Sequence, residues 1–268
     1  MKRQLALLML ATCVGCAAAL KAPPALQVLA GHPAPRSAPE IDALRSRAEM
    51  LFKTRQLGQA REAARLWLEV AAAVPASNGS IHVTALAAAA RTWVWLAEHE
   101  DSATARRQAA RTGVYAAQWC THAAPVSAAC NFWLGAALGV QARERPSTGL
   151  SGLPAIVTAF EQAARTEPDL DDGAPSRALA LLYLRAPGWP TGPGDVELGL
   201  QHAHDAIRIS PSHPANWLAL GEARREAGEH VASREAYERA RELARERVAA
   251  GDPDAAAWVT AADEALAR

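Results

Sequence analysis

The chain has 268 residues, half of them hydrophobic, and its 28 Lys and Arg are balanced by 28 Asp and Glu. A neutral chain provides no electrostatic basis for nucleic-acid binding, so we exclude that function class. Ala supplies most of the hydrophobic excess, and Ala favours helices, whereas β-branched runs are nearly absent. The composition therefore predicts an all-α protein.

Residues 1–16 are typical of a bacterial export signal. A charged MKR triplet precedes a short apolar run that ends in Val14-Gly15-Cys16. This ending resembles the lipobox of bacterial lipoproteins, whose Cys is lipidated and becomes the new amino terminus. We predict lipidation at Cys16; an ordinary cleaved signal is the alternative.

The segment after the signal, residues 17–39, is rich in Ala and Pro and predicts an extended tether. Ala17 stands where an Asp would favour retention in the inner membrane. The predicted location is therefore the periplasmic face of the outer membrane, with the chain anchored by its lipid. The alternative is the inner membrane.

From residue 40 to residue 268 the pattern is helix, short break, helix. The clearest unit has Trp217, Leu220 and Gly221 on a first helix and Tyr237 and Ala240 on a second, which resembles a tetratricopeptide repeat. The aromatic and Leu side chains fill the core between repeats, Gly lets two helices touch, and the small Ala seats the next repeat.

The repeat pattern predicts an α-solenoid of helical hairpins with about eleven helices. Three connections are longer than such a repeat needs: one near residue 78, one at 143–152 and one at 186–195. The predicted helices cover residues 41–55, 59–74, 81–99, 103–122, 127–143, 153–166, 175–186, 195–209, 214–227, 231–249 and 253–267.

Cys120 ends one predicted helix and Cys130 begins the next, across a turn at Pro125. In an oxidising compartment this placement allows a disulfide between them. The alternative is two buried thiols that act as small apolar residues.

No motif for catalysis, for a cofactor or for a metal occurs in the chain, so we expect a non-enzymatic protein with neither group. His202 and His204 are two residues apart and point to different sides of a helix, which does not suit a metal pair. The acidic run at 167–172 lacks the Gly and Glu of a calcium loop and is typical of a solvated linker.

Three stretches carry a resemblance to a family: Pro125–Gly135 with its Cys-x-x-Trp-Leu-Gly pattern, Phe160–Pro168, and the run Ser176–Pro190, SRALALLYLRAPGWP. With them the chain resembles the T-component family of periplasmic tetratricopeptide-containing TRAP transporters. The resemblance implies a periplasmic lipoprotein, often oligomeric, that docks the substrate-binding P-component. It also implies a cavity or channel for small ligands, such as hydrophobic molecules or organic acids.

We select Arg177, Tyr183, Trp189 and Trp133 as the candidate residues for binding a ligand or partner. Arg177 would bind an anionic group, or donate a structural hydrogen bond to the carbonyls of the 186–195 loop. Trp189 lies in that loop among Pro and Gly, where it would fill a gap in the core or line a ligand opening.

The predicted function is that of a lipid-anchored docking scaffold, accessory to a TRAP-type solute uptake system and holding a small ligand. Its expected partners are a periplasmic solute-binding protein and further copies of the chain. The alternative is a general tetratricopeptide lipoprotein that binds extended peptide segments during outer-membrane, pilus or secretion assembly.

Overall fold

The computed structural model describes residues 22–75 and 78–268, without the side chains of residues 146–149. This part of the chain is helical throughout, with twelve α-helices that pack against their neighbours in sequence. The structure confirms the predicted all-α fold and the helical repeat array. No helix among these residues is both long enough and apolar enough to cross a membrane.

The helices form consecutive antiparallel hairpins after a short first helix. The additional helix, relative to the eleven predicted from the sequence, is α1. The bounds are α1 Leu26–Leu29, α2 Ala38–Lys53, α3 Leu57–Ala73, α4 Gly79–His99, α5 Ala103–Ala123, α6 Ala128–Glu144, α7 Pro146–Thr166, α8 Ala174–Arg185, α9 Val196–Ile209, α10 Pro214–Glu226, α11 His230–Ala249 and α12 Ala255–Leu266.

The amino-terminal segment corrects the prediction of an extended tether over 17–39. Residues 17–21 lie outside the described residues, but Leu26 is buried in the main core and Pro24 O accepts a 2.9 Å hydrogen bond from Trp119 Nε1. Arg36 adds an ion pair of 2.6 Å with Glu69 on α3. The Ala and Pro composition suggested a solvated chain, but its few apolar side chains find a place on the array.

Helix α7 corrects a second prediction, the long loop at 143–152. The helix begins at Pro146, because Pro fits the first turn of a helix, where its missing N–H has no intrahelical role. Pro154 lies inside the same helix, with Ile156 buried in the core two residues later. Packing against α6 thus outweighs the weak helix propensity of this Gly- and Ser-containing stretch.

Polar side chains define where several helices begin. Ser37 and Glu40 form a capping box at the start of α2, and the hydroxyl of Ser102 accepts from Ala105 N at the start of α5. Asp195 accepts from Leu198 N at 3.0 Å and starts α9 directly after the 186–195 loop. Each cap satisfies a backbone N–H that has no partner within its helix.

The core is built largely from Ala and divides into two clusters. The larger runs from α1 to α8, and the smaller joins residues of α8, α9, α10 and α11. Helix α8 belongs to both, with Leu179 and Tyr183 in the first cluster and Ala180 in the second. Small side chains allow close helix contact, which is how a chain with few large apolar residues fills its interior.

The array curves until its first hairpin meets its last helix. Arg55, just after α2, forms a bidentate ion pair with Asp254, just before α12, although the two are 199 positions apart. A cavity lies inside this closure, between the two ends of the array.

Candidate functional site: the central cavity

The central cavity has a volume of about 430 Å³ and is lined by apolar, cationic and acidic side chains together with one His. One wall is apolar and mostly aromatic, and the polar part carries both charges, so the site is amphipathic. The lining residues are Phe52, Val94, Trp95, Trp133, Ala215 and Trp258; Arg55, Arg91, Arg177 and Arg247; Glu98, Asp171, Asp172, Asp252 and Asp254; and His213. Pockets of this size and mixed lining suit small organic molecules.

Phe52 organises one side of the cavity. The guanidinium groups of Arg55 and Arg91 lie 4.2 and 5.0 Å from the centre of its ring. These are cation–π distances, and Phe52 is itself almost fully buried. The ring edge of Trp95 faces Phe52 with 6.0 Å between centroids. Two cations are thus held at the cavity wall by an aromatic ring and not only by carboxylates.

Arg91 contributes an unused donor to this wall. Its Nη2 makes a long ion pair of 3.5 Å with Glu49, but its buried Nε has no hydrogen-bond partner among the described residues. A buried donor without a partner is costly, and such groups usually indicate a missing acceptor. This Nε has no accessible surface, so it lies behind the cavity wall, although the Arg91 side chain as a whole is 33% exposed.

Arg177 also lines the cavity and lies in the first turn of α8. Its Nη1 donates to Asn216 Oδ1 at 2.6 Å. Burial lowers the pKa of Arg177 to about 10, against the opposing effect of Asp171 and Asp172. The predicted hydrogen bond to the carbonyls of the 186–195 loop is wrong, because that loop follows the last turn of α8, at the far end of the helix.

Backbone conformations at the cavity are strained. Among the described residues other than Gly, positive φ occurs at His32, Arg55, Asp171 and Asp172, with φ of 52°, 43° and 60° at the last three. Those three line the central cavity. Such conformations cost free energy and tend to concentrate at ligand clamps and other functional sites.

His213 is an uncharged member of the lining. Burial, helped by the positive charges of Arg177 and Arg247, lowers its pKa to about 4, although Asp172 and Asp252 act in the other direction. Its ring packs edge-on to Trp258 with 4.9 Å between centroids. At neutral pH the imidazole is therefore neutral and behaves as part of the aromatic wall.

Two of the four candidate residues from the sequence line the central cavity, and the other two lie elsewhere. Trp133 and Arg177 line the central cavity, but Tyr183 and Trp189 do not. Tyr183 is buried and stacks on His202 at 5.6 Å, and burial raises its pKa. Trp189 is 90% exposed, so the interpretation that it fills a gap in the core is wrong.

Two further candidates concern Cys residues. Cys120 and Cys130 are joined by a disulfide that ties the end of α5 to the start of α6, with 5.2 Å between their Cα atoms. The predicted lipidation site, Cys16, lies outside the described residues.

The sequence did not indicate Arg55, Arg91, Phe52 or Asp254 as site residues. Each of these residues lies in a helix or a turn without any unusual sequence pattern. They come together in space only because the whole array curves. The one available signal was compositional: the chain has eight Trp against three Tyr and three Phe, and three of those Trp line the cavity.

No protein-family model matches the chain, and no curated protein matches it. The geometry of the site therefore carries the functional argument. Among the residues that the structure describes, no group of His, Cys, Asp and Glu is arranged to hold a metal ion.

Proposed function

We propose that this protein is a lipid-anchored helical-repeat scaffold of the periplasm that holds a small organic ligand and docks a solute-binding protein, as a T-component does in TRAP-type uptake. The central cavity is the observation that carries the ligand part of this proposal. It combines aromatic side chains, four guanidinium groups and strained backbone among its lining residues.

The shape of the proposed ligand follows from this lining. Aromatic side chains of the lining accept an apolar or planar body, and the partly exposed guanidinium of Arg91 provides a cation for an anionic group. Carboxylates and guanidinium groups are both present, so charge alone does not select the ligand. We propose a small organic acid whose apolar part faces Phe52 and Trp95.

The partner part of the proposal rests on the run Ser176–Pro190 and on Trp189. Trp189 is exposed, and residues 186–194 around it carry no charge; such a Trp is typical of a protein contact, because the ring contributes a large apolar area at little entropic cost. The loop is held by backbone hydrogen bonds from Gly194 N to Pro187 O and from Asp195 N to Tyr183 O, of 2.8 and 2.9 Å.

Ligand binding is tested by native mass spectrometry of the full chain with a panel of aromatic and aliphatic carboxylates. We expect one bound carboxylate per chain and weaker binding in Arg91→Gln. The matched control is Arg111→Gln, an exposed Arg on α5. Equal affinity in both variants would remove Arg91 from the site, and no binding in any variant would contradict the ligand proposal.

Docking is tested by affinity capture from a periplasmic extract with the full chain as bait. We expect a solute-binding protein to be captured, and Trp189→Ala to lose it. Val231→Ala is the control, since Val231 is also a highly exposed apolar residue, 77% exposed on α11. Capture of no solute-binding protein would overturn the transport assignment.

The anchor needs its own measurement. In a bacterial host, metabolic labelling with a fatty acid should mark the wild-type chain in the membrane fraction, while Cys16→Ser should lose the label. Labelling that survives this change would contradict lipidation at Cys16.

The alternative function, binding of extended peptides during envelope assembly, is favoured by a second concave surface. A groove of about 500 Å³ is lined by residues of α8, α10, α11 and α12, among them Arg185, Leu218 and Tyr237. Grooves of this kind in helical repeats accept extended segments. Capture of outer-membrane or pilus components in the same experiment would support this alternative over the transport assignment.

A further inference from the structure

Arg55 is held in position by contacts other than its ion pair with Asp254. The residue adopts a left-handed backbone conformation with φ of 52°, its Nη1 donates to Phe52 O at 2.7 Å, and its guanidinium lies over the Phe52 ring. These contacts fix the direction of the side chain across the mouth of the central cavity. The strained backbone needs a compensating interaction to persist.

Asp254 is held equally well. Gly251, with φ of 79°, lies two residues after the end of α11, and the Asp252 carboxylate accepts from Asp254 N at 3.0 Å. Arg247 in turn contacts the same Asp252 carboxylate at 3.4 Å. The turn therefore presents both oxygens of Asp254 outward, and they accept from Arg55 Nε and Nη2 at 2.8 and 2.7 Å.

This ion pair bridges two separately packed parts of the molecule. The α2 end belongs to the larger core cluster, while α10 and α11, which carry α12, belong to the smaller, and α8 is the helix common to both. The pair is also accessible to water, with side chains 22% and 40% exposed. A half-exposed pair can open without the burial of an unpaired charge.

We propose that the Arg55–Asp254 pair is a latch that narrows the entrance to the central cavity. When it opens, α8 acts as the hinge and the C-terminal helices move away from α2, which widens the entrance. Motion of packed parts about one shared element is a common form of closure around a ligand. The role in ligand entry rests on the proposed function; the closure itself does not.

The latch is tested by distance measurement on the full chain with spin labels at Lys53→Cys and Ala256→Cys, two exposed positions on either side of the seam. With the latch intact we expect one narrow distance. Asp254→Asn and, independently, Arg55→Gln should broaden the distribution and shift it to longer distances. High salt should do the same to the intact latch and have little effect on either variant.

A matched control breaks an ion pair of the same geometry elsewhere. Arg185 on α8 donates to both oxygens of Glu222 on α10 at 2.7 Å, so this pair does not span the seam between α2 and α12. Glu222→Gln should leave the distance between the labels unchanged. A distribution that stays narrow in both latch variants, with helicity retained by circular dichroism, would overturn the proposal, as would equal broadening in the control.

Entry is measured separately with 8-anilinonaphthalene-1-sulfonate, an aromatic anion whose fluorescence rises in apolar sites. We expect a several-fold faster association in Arg55→Gln than in Glu222→Gln. If the probe binds Arg55→Gln and Glu222→Gln at the same rate, the Arg55–Asp254 pair does not control entry to the cavity. That result would refute the role of the latch in ligand entry. If the labels separate but the probe binds no variant, the ligand function fails while the latch stands.

Discussion

In both the α6–α7 and the α10–α11 hairpin, the two helices pack through a Gly and an aromatic ring. A Cβ atom on Gly135 would lie 2.7 Å from the ring of Phe160, and one on Gly221 would lie 2.6 Å from the ring of Tyr237. In each hairpin the aromatic ring of the second helix rests directly on a Gly of the first. The two hairpins therefore share one packing arrangement, a Gly of the first helix against an aromatic ring of the second.

They differ in how the first helix is fixed to the helix before it. In the α6–α7 hairpin the residue five positions before the Gly is Cys130, bonded to Cys120 at the end of α5. In the α10–α11 hairpin the same place is taken by Asn216, whose Nδ2 lies 2.9 Å from Ala206 O near the end of α9. A covalent link in one repeat thus stands where a buried amide stands in the other.

The buried amide has more partners than the disulfide. Asn216 Nδ2 also lies within hydrogen-bond distance of Asp172 O and Ser210 O, while its Oδ1 accepts from Arg177. The disulfide joins two helices, whereas Asn216 joins α10 to α8, to α9 and to the turn before α8. The two hairpins should therefore lose stability in response to different changes.

Loss of the amide should have the largest effect. Asn216→Ala leaves the buried carbonyls and the guanidinium of Arg177 without their partner, and each such group costs on the order of 1–3 kcal/mol. We expect the free energy of unfolding to fall by about 4 kcal/mol in urea titrations. Asn131→Ala, which removes hydrogen bonds to two carbonyls in the other hairpin, is the control and should cost less.

Loss of the disulfide should come next. The bond closes a loop with a sequence separation of 10, for which loop-closure entropy predicts about 3 kcal/mol. Cys120→Ala with Cys130→Ala should lower the free energy of unfolding by that amount and remove the effect of added reductant. A wild-type chain whose unfolding is insensitive to reductant would contradict this prediction.

Acid should distinguish the hairpins by their helix caps. Ser127 accepts from Cys130 N at the start of α6, and His213 Nδ1 accepts from Ala215 N at the start of α10. The pKa of His213 in the folded chain, about 4, lies below its ordinary value of 6.5. The unfolded chain therefore binds the proton first, and stability is lost as the pH falls from about 6.5 to about 4.

For this titration we expect a loss of about 2 kcal/mol between pH 7 and pH 5. His213→Ser copies the cap of the other hairpin and should remove that part of the pH dependence. Thermal or urea unfolding of both chains across this range provides the measurement. Parallel stability profiles for the two chains would show that His213 does not carry the effect.

The shared Gly should give the smallest effect. Gly221→Ala places a Cβ against the ring of Tyr237, and overpacking costs about 1–3 kcal/mol, from which a gain of about 1 kcal/mol in helix propensity is subtracted. We expect a net loss of about 1 kcal/mol, and a similar loss for Gly135→Ala. A stabilised Gly58→Ala, where the added Cβ meets open space, is the matched control.

The sequence predicted the parts of the fold that repeat. The spacing of Trp217, Leu220 and Gly221 indicates a helix that lies against another, and local periodicity is enough to place most helices within a few residues. The prediction was wrong where it depended on composition alone. Residues 22–37 have the composition of a solvated linker, yet Leu26 is buried on the array. The start of α7 was missed for the same reason.

The candidate site was largely beyond sequence reasoning. Arg177 and Trp133 were selected and do line the cavity, but Arg55 and Asp254 meet across 199 positions. Their distance is set by the sum of small rotations between successive hairpins, and no single stretch of sequence encodes that sum. Tyr183 was selected because it lies in the run 176–190. Its side chain is buried and stacks on His202, so it contributes to packing and does not line the cavity.

The docking of residues 22–37 on the helices has a consequence for the reach of the molecule. A linker extended over residues 17–39 would span up to about 80 Å, whereas residues 17–21 alone span no more than about 20 Å. With the proposed lipid at Cys16, residue 22 would be held within about 20 Å of the bilayer surface. A partner would then have to approach alongside the membrane, and diffusion of the two proteins would be confined to a thin layer.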